Sequence, residues 1–122
     1  MNADGFRFIA EQVFNELPDE FRSCLENVVI ITDDFADADT LAAMHIDAPF
    51  DLLGLYEGVP MPERQAVESG LLPDVIHLYR KPILAMQAEC GESLPICIRH
   101  VLVHEIGHHF GFSDAQMHAF EL

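Results

Sequence analysis

One segment, Ser93 to Gly111, limits most strongly what this chain can fold into. Ser93 can cap a helix, and Pro95 suits a first helical turn, where its missing N–H costs nothing. Gly111 can adopt the positive φ that ends one. Between them run Ile96, Val101, Leu102, Val103, Ile106 and Phe110. A long helix with these apolar flanks is packed against other elements rather than lying free on a surface.

The remainder is short enough to read in one pass. At 122 residues the chain has the size of one domain. Half of it is apolar and 22% is charged, so a packed core can form and wholesale disorder is excluded. No repeat, low-complexity tract or linker interrupts it, so residues 1–122 read as a single domain. Phe6, Ile9, Val13, Phe14 and Leu17 recur at helical spacing, with Asn2 or Asp4 as N-cap and Pro18 as stop. Asp19 to Leu25 can add a short helical turn. Val28 to Thr32 is β-branched and short, and reads as a buried strand. Asp33 to Phe50 shows no period and reads mostly as loop.

Leu52 to Glu57 reads as a second strand, in which Gly54 marks a bulge or a close backbone approach. Val75 to Tyr79 reads as a third. Pro82 suits the first turn of a helix that reaches Cys90 and ends at Gly91. Ser113 and Gln116 have the spacing of a capping box for a last short helix. Helix, strands and then a run of helices define an α+β chain.

Charge and cysteine usage narrow the function classes. The formal net charge is -15, with 15 acidic and 3 basic side chains in residues 1–70. Such a surface repels phosphate backbones and anionic lipid, so nucleic-acid and membrane partners are not expected. No stretch approaches the roughly 20 apolar residues that span a bilayer. The N-terminus shows no basic and apolar pattern of a secretory signal. Cys24, Cys90 and Cys97 are odd in number and lack C-x-x-C spacing, so neither a disulfide framework nor a zinc ribbon is indicated. Three reduced, buried or half-buried thiols and a cytoplasmic setting are the expectation.

The chemistry concentrates in His104-Glu105-Ile106-Gly107-His108-His109-Phe110-Gly111-Phe112-Ser113-Asp114. His104 and His108 are four apart and stack on one helical face, where two imidazoles can share a tetrahedral ion at about 2 Å per bond. Glu105 beside them can reach an activated water without being a ligand. A further helical turn would carry a third ligand away from the ion, but a chain turned back at Gly111 could bring the Asp114 carboxylate to it. The alternative for Asp114 is an acid in the first turn of a helix capped by Ser113, and the two roles can coexist. His109 points about 100° away from the pair, and His100 lies one turn before it. Tyr56 and Tyr79, on strands, could donate to an oxyanion or pack as half-buried strand tyrosines. The acidic cluster Asp33, Asp34, Asp37 and Asp39 lacks the glycine and terminal glutamate of a calcium loop and reads as solvated. Met117 reads as a core residue.

His104, Glu105, His108, Gly111 and Asp114 together resemble the extended H-E-x-x-H-x-x-G-x-x-D signature of the minimal zincin-like metallopeptidases. Gly54 to Pro60 and Ile76 to Ile83 resemble the two strand segments that precede the active-site helix in that family. From about Asn27 onward the resemblance covers most of the chain. It implies a compact α+β zincin-like domain, with a small mixed sheet packed on helices that include the active-site helix. It also implies one Zn2+ per chain held by His104, His108 and Asp114, and Glu105 as general base for hydrolysis of a peptide or protein substrate. Asp114 stands where the longer metzincin pattern has a histidine. The rival expectation keeps the fold and the zinc but not the turnover: a zinc-binding regulatory or interaction module.

The charge excess carries a consequence of its own. Self-repulsion opposes folding near neutral pH and is screened by salt. At constant metal occupancy, the melting temperature should rise between low and moderate ionic strength. A flat or falling value in a salt-series thermal melt would contradict this.

Overall fold

The computed structural model describes residues 1–23, 25, 27–58, 73–111 and 115. Helix α1, Ala3–Asn15, starts where the Asn2 side chain accepts the Gly5 N–H at 2.8 Å, and it buries Phe6, Ala10 and Val13. Pro18 precedes the short α2, Asp19–Arg22, whose Phe21 is fully buried. Strand β1 spans Val28–Asp33. The acidic stretch after it is more ordered than its lack of periodicity predicts, and holds α3, Ala38–Ala43, and a 3-10 turn at Pro49–Asp51. Helix α3 buries no residue, so it leaves no amphipathic signature. Its sequence mark is Asp37, whose carboxylate accepts the Thr40 N–H at 2.7 Å as an N-cap.

Strands β2, Gly54–Glu57, and β3, Asp74–Tyr79, complete a mixed sheet in the order β1-β3-β2. β1 runs parallel to β3 and β2 antiparallel to it, with Ile30 and Tyr56 both opposite Ile76. Helix α4, Arg80–Cys90, follows β3 directly and stops at Gly91, which has φ 75°. Helix α5, Leu94–Phe110, is capped by Ser93, carries Pro95 in its first turn and ends at Gly111, with φ 74°. Among the described residues the architecture is therefore five helices with a three-stranded mixed sheet, an α+β fold. None of these helices is long and apolar enough to cross a membrane. The capping box at Ser113 and Gln116, and Met117, lie outside the described residues.

The main core lies between α5, α1 and one face of the sheet, and it centres on Phe6, Phe21, Ile76, Leu78, Ile98 and Leu102. Strand alternation sends Ile76 and Leu78 into it, while Tyr79 turns to a smaller cluster with Ala36 and Leu52. β1 differs from expectation. It is an outer strand of this sheet, with one face half-buried and the other open, and Val29 and Ile31 are 43% and 42% exposed. A continuous apolar run suits burial on both faces, but among the described residues α1 is the helix that packs on β1.

Gly54 is where sheet and helix meet most closely. A Cβ there would lie 2.8 Å from Val101 Cγ1 and 3.0 Å from the His77 carbonyl oxygen, so β2 sits on α5 at a distance only glycine allows. Val101 is buried and the carbonyl belongs to the neighbouring strand, so neither yields easily. Gly54→Ala is expected to cost about 1–3 kcal/mol through overpacking. Denaturant unfolding would measure it, and an unchanged midpoint would show that β2 moves freely on the helix.

Candidate metal and catalytic site

Helix α5 carries two stripes of polar side chains beside its apolar ones. His100, His104 and His108 follow one another at one-turn intervals. Ring centroids are 4.5 Å apart for the first two and 5.8 Å for the second two. The second stripe, Glu105 and His109, faces β2. The Glu105 carboxylate accepts a hydrogen bond from the Tyr56 backbone N–H. The His109 ring stacks on the Tyr56 ring with centroids 3.9 Å apart and planes inclined by 18°. His109 also fills the space beside Gly58, where an added Cβ would come within 2.7 Å of its Cε1.

The metal question turns on His104 and His108. Two imidazoles that share an ion at about 2 Å per bond have ring centroids roughly 5 Å apart, and the observed 5.8 Å lies close to that. The pair therefore suits one ion as two nitrogen donors on a rigid helical face. Asp114 lies outside the described residues. Among those residues, no three His, Cys, Asp or Glu side chains stand together as a metal-holding group.

Glu105 differs from an ordinary surface glutamate. Burial pushes its carboxyl pKa up, while the Tyr56 N–H and the neighbouring His108 pull it down. The net direction is upward, which makes the carboxylate a better proton acceptor than a solvated one. Tyr56 is held in turn by its phenol, which donates to Asp74 Oδ2 at 2.7 Å. Asp74 is only 5% exposed. The tyrosine joins the start of β3, the edge of β2 and the end of α5.

Other candidates fall elsewhere. Tyr79 is on the opposite face of the sheet from α5, 3% exposed, and burial pushes its phenol up to about 12. It remains neutral and belongs to the smaller cluster. His77 shares that face, with Nε2 3.3 Å from Glu57 Oε1. Two members of the acidic cluster have structural duties. Asp34 accepts from Arg80 Nε at 2.8 Å, a contact that lowers its carboxyl pKa, and Asp37 caps α3. The sequence alone does not single out Asp74, because an acid after proline at a strand start looks like a turn residue.

Residues 25–122 match the model of the zincin-like metallopeptidase family, and the chain belongs to that family. A solved structure of a conserved hypothetical protein from Thermo thermophilus is similar in fold. It aligns with a TM-score of 0.53 and 19% identity, over 90% of this chain and 94% of that one. No curated protein matches the chain.

The Tyr56 phenol gives a separable test. Tyr56→Phe removes the bond to Asp74 and leaves the main-chain contact to Glu105 in place. A loss of about 1–3 kcal/mol is expected, since the acceptor is a buried carboxyl group. Chemical denaturation would read it, and a variant as stable as the parent would mean that this bond contributes nothing net.

Proposed function

We propose that the chain is a zinc-dependent peptidase in which His104, His108 and Asp114 hold one Zn2+ and Glu105 is the general base. The observation that supports this most is the placement of Glu105. Its carboxylate is partly buried, anchored by the β2 main chain, and next in sequence to His104. Zinc, when bound, supplies Lewis acidity that polarises a peptide carbonyl and lowers the pKa of water toward roughly 7.

The protein's own groups do the rest. Glu105 accepts the proton of the attacking water and then delivers it to the leaving amide nitrogen as the C–N bond breaks. The Tyr56 N–H occupies one side of that carboxylate and fixes its position. β2 is an outer strand of the described sheet, so an extended peptide can be held along it by main-chain hydrogen bonds. With a net charge of -15, the surface favours basic peptides at long range.

Metal content and peptide hydrolysis, measured side by side on single variants, separate ligand from base. Glu105→Gln should keep zinc and lose about 100- to 10,000-fold in turnover, because an amide cannot take the proton. Asp114→Ala should weaken zinc binding, and His104→Ala or His108→Ala should do so more severely. His109→Ala should scarcely change it, since that ring is stacked on Tyr56. If Asp114→Ala binds zinc as tightly as the parent, the third ligand is wrongly assigned. A parent that holds zinc but cleaves no peptide would be a non-catalytic zinc module, and one that takes up no zinc would overturn the reading altogether.

A further inference from the structure

Away from the Glu105 stripe, the corner between α4 and α5 brings two thiols together. Cys90 is the last residue of α4, and Gly91 reverses the chain in the left-handed conformation while its N–H bonds the Gln87 carbonyl at 2.9 Å. Ser93 then caps α5, and Cys97 lies in that helix's first turns. The result is a Cys90 Sγ to Cys97 Sγ distance of 3.8 Å, across a corner that two helix caps hold in shape. Both cysteines line a cleft of about 330 Å³ with Met86, Glu92, Ile96 and His100. We infer that Cys90 and Cys97 are a redox modification site, a dithiol that peroxide converts into an intramolecular disulfide at this corner.

The two thiols are suited to different steps. Cys90 is exposed and meets the oxidant first, whereas Cys97 is 2% exposed and burial pushes its thiol pKa up to about 11. The Cys90 thiolate attacks one peroxide oxygen, the O–O bond breaks, and Cys90 becomes a sulfenic acid as hydroxide departs and is protonated. The Cys97 sulfur then attacks the Cys90 sulfur, displacing hydroxide that takes up the Cys97 proton and leaves as water. Overall two thiols and one hydrogen peroxide give one disulfide and two waters. A bond of about 2.05 Å requires the sulfurs to close by less than 2 Å, which side-chain rotation supplies when the backbone is already turned toward it. A small dithiol reverses the reaction by exchange.

The location gives the modification its reach. Cys97 precedes His104 by two helical turns on the same face, about 10 Å along the axis, and His100 stands between them in contact with His104. The inference does not depend on zinc or on hydrolysis.

The test uses the full native chain, treated with stepwise hydrogen peroxide, then alkylated, cleaved after Glu92 and mapped by mass spectrometry. The expected product is a pair of peptides joined through Cys90 and Cys97, with a mass lower by two hydrogens, in a monomeric protein that dithiothreitol restores. In Cys97→Ser, Cys90 should instead gain oxygen and be trapped by a sulfenic-acid reagent. The inference falls if the native chain gains oxygen at Cys90 while Cys97 stays open to alkylation. It falls equally if either residue is found bridged to Cys24 or to a second molecule instead.

Discussion

The structure depends on covering one helix. In α5, Val101, Leu102 and Val103 are buried in succession, as are Ile98 and Ile106, and three consecutive buried positions cannot lie on one helical face. Cover therefore comes from several directions at once, with α1, α4 and the β2–β3 part of the sheet all in contact with the helix. Each large side chain fully buried this way contributes about 1.5–3 kcal/mol, and no other described element buries as many. The stripe of His100, His104 and His108 is among what this cover leaves accessible. A stiff, internally fixed helix is a good platform for donors whose spacing must not vary.

Tyr56 transmits that stiffness to the chemistry. Its main chain holds Glu105, its ring holds His109, and its phenol is tied to Asp74. Gly54, two residues earlier on the same face of β2, sets how near the strand lies to the helix. The glutamate is thus positioned by the sheet edge and the histidine pair by the helix, so their relative placement reports how well the two are packed together.

Legibility in the sequence follows the range of the interaction involved. Helix α5 and its ends are readable because Ser93, Pro95 and Gly111 act within a turn of themselves, and β3 because Val75 to Tyr79 carries its own pattern. The histidine pair is readable for the same reason, since four-residue spacing on a helix is local geometry. Helix α3 is not, because it buries nothing and only Asp37 marks it. The half-open state of β1 depends on which elements lie over its faces, which no pattern within Val28–Asp33 encodes. The Tyr56 contact to Glu105 and the meeting of Cys90 with Cys97 need strand-to-helix packing and a turned corner, both set by the tertiary fold. Asp114, the third residue of the proposed ligand set, lies outside the described residues.

The open face of β1 has a cost that the acidic surface conceals. Val29 and Ile31 form an apolar, β-branched patch on a strand whose far edge has no partner among the described strands. Such an edge is a template on which another molecule's strand can be laid. Near neutrality a formal charge of -15, with Asp33 and Asp34 directly at the strand's end, repels an approaching second copy. That protection is colloidal rather than structural, and it fades as the medium approaches the sequence pI of about 4.5. The same acidity that sets the long-range field also opposes contact between copies, and in mild acid the already open edge of β1 is where intermolecular sheet growth would start.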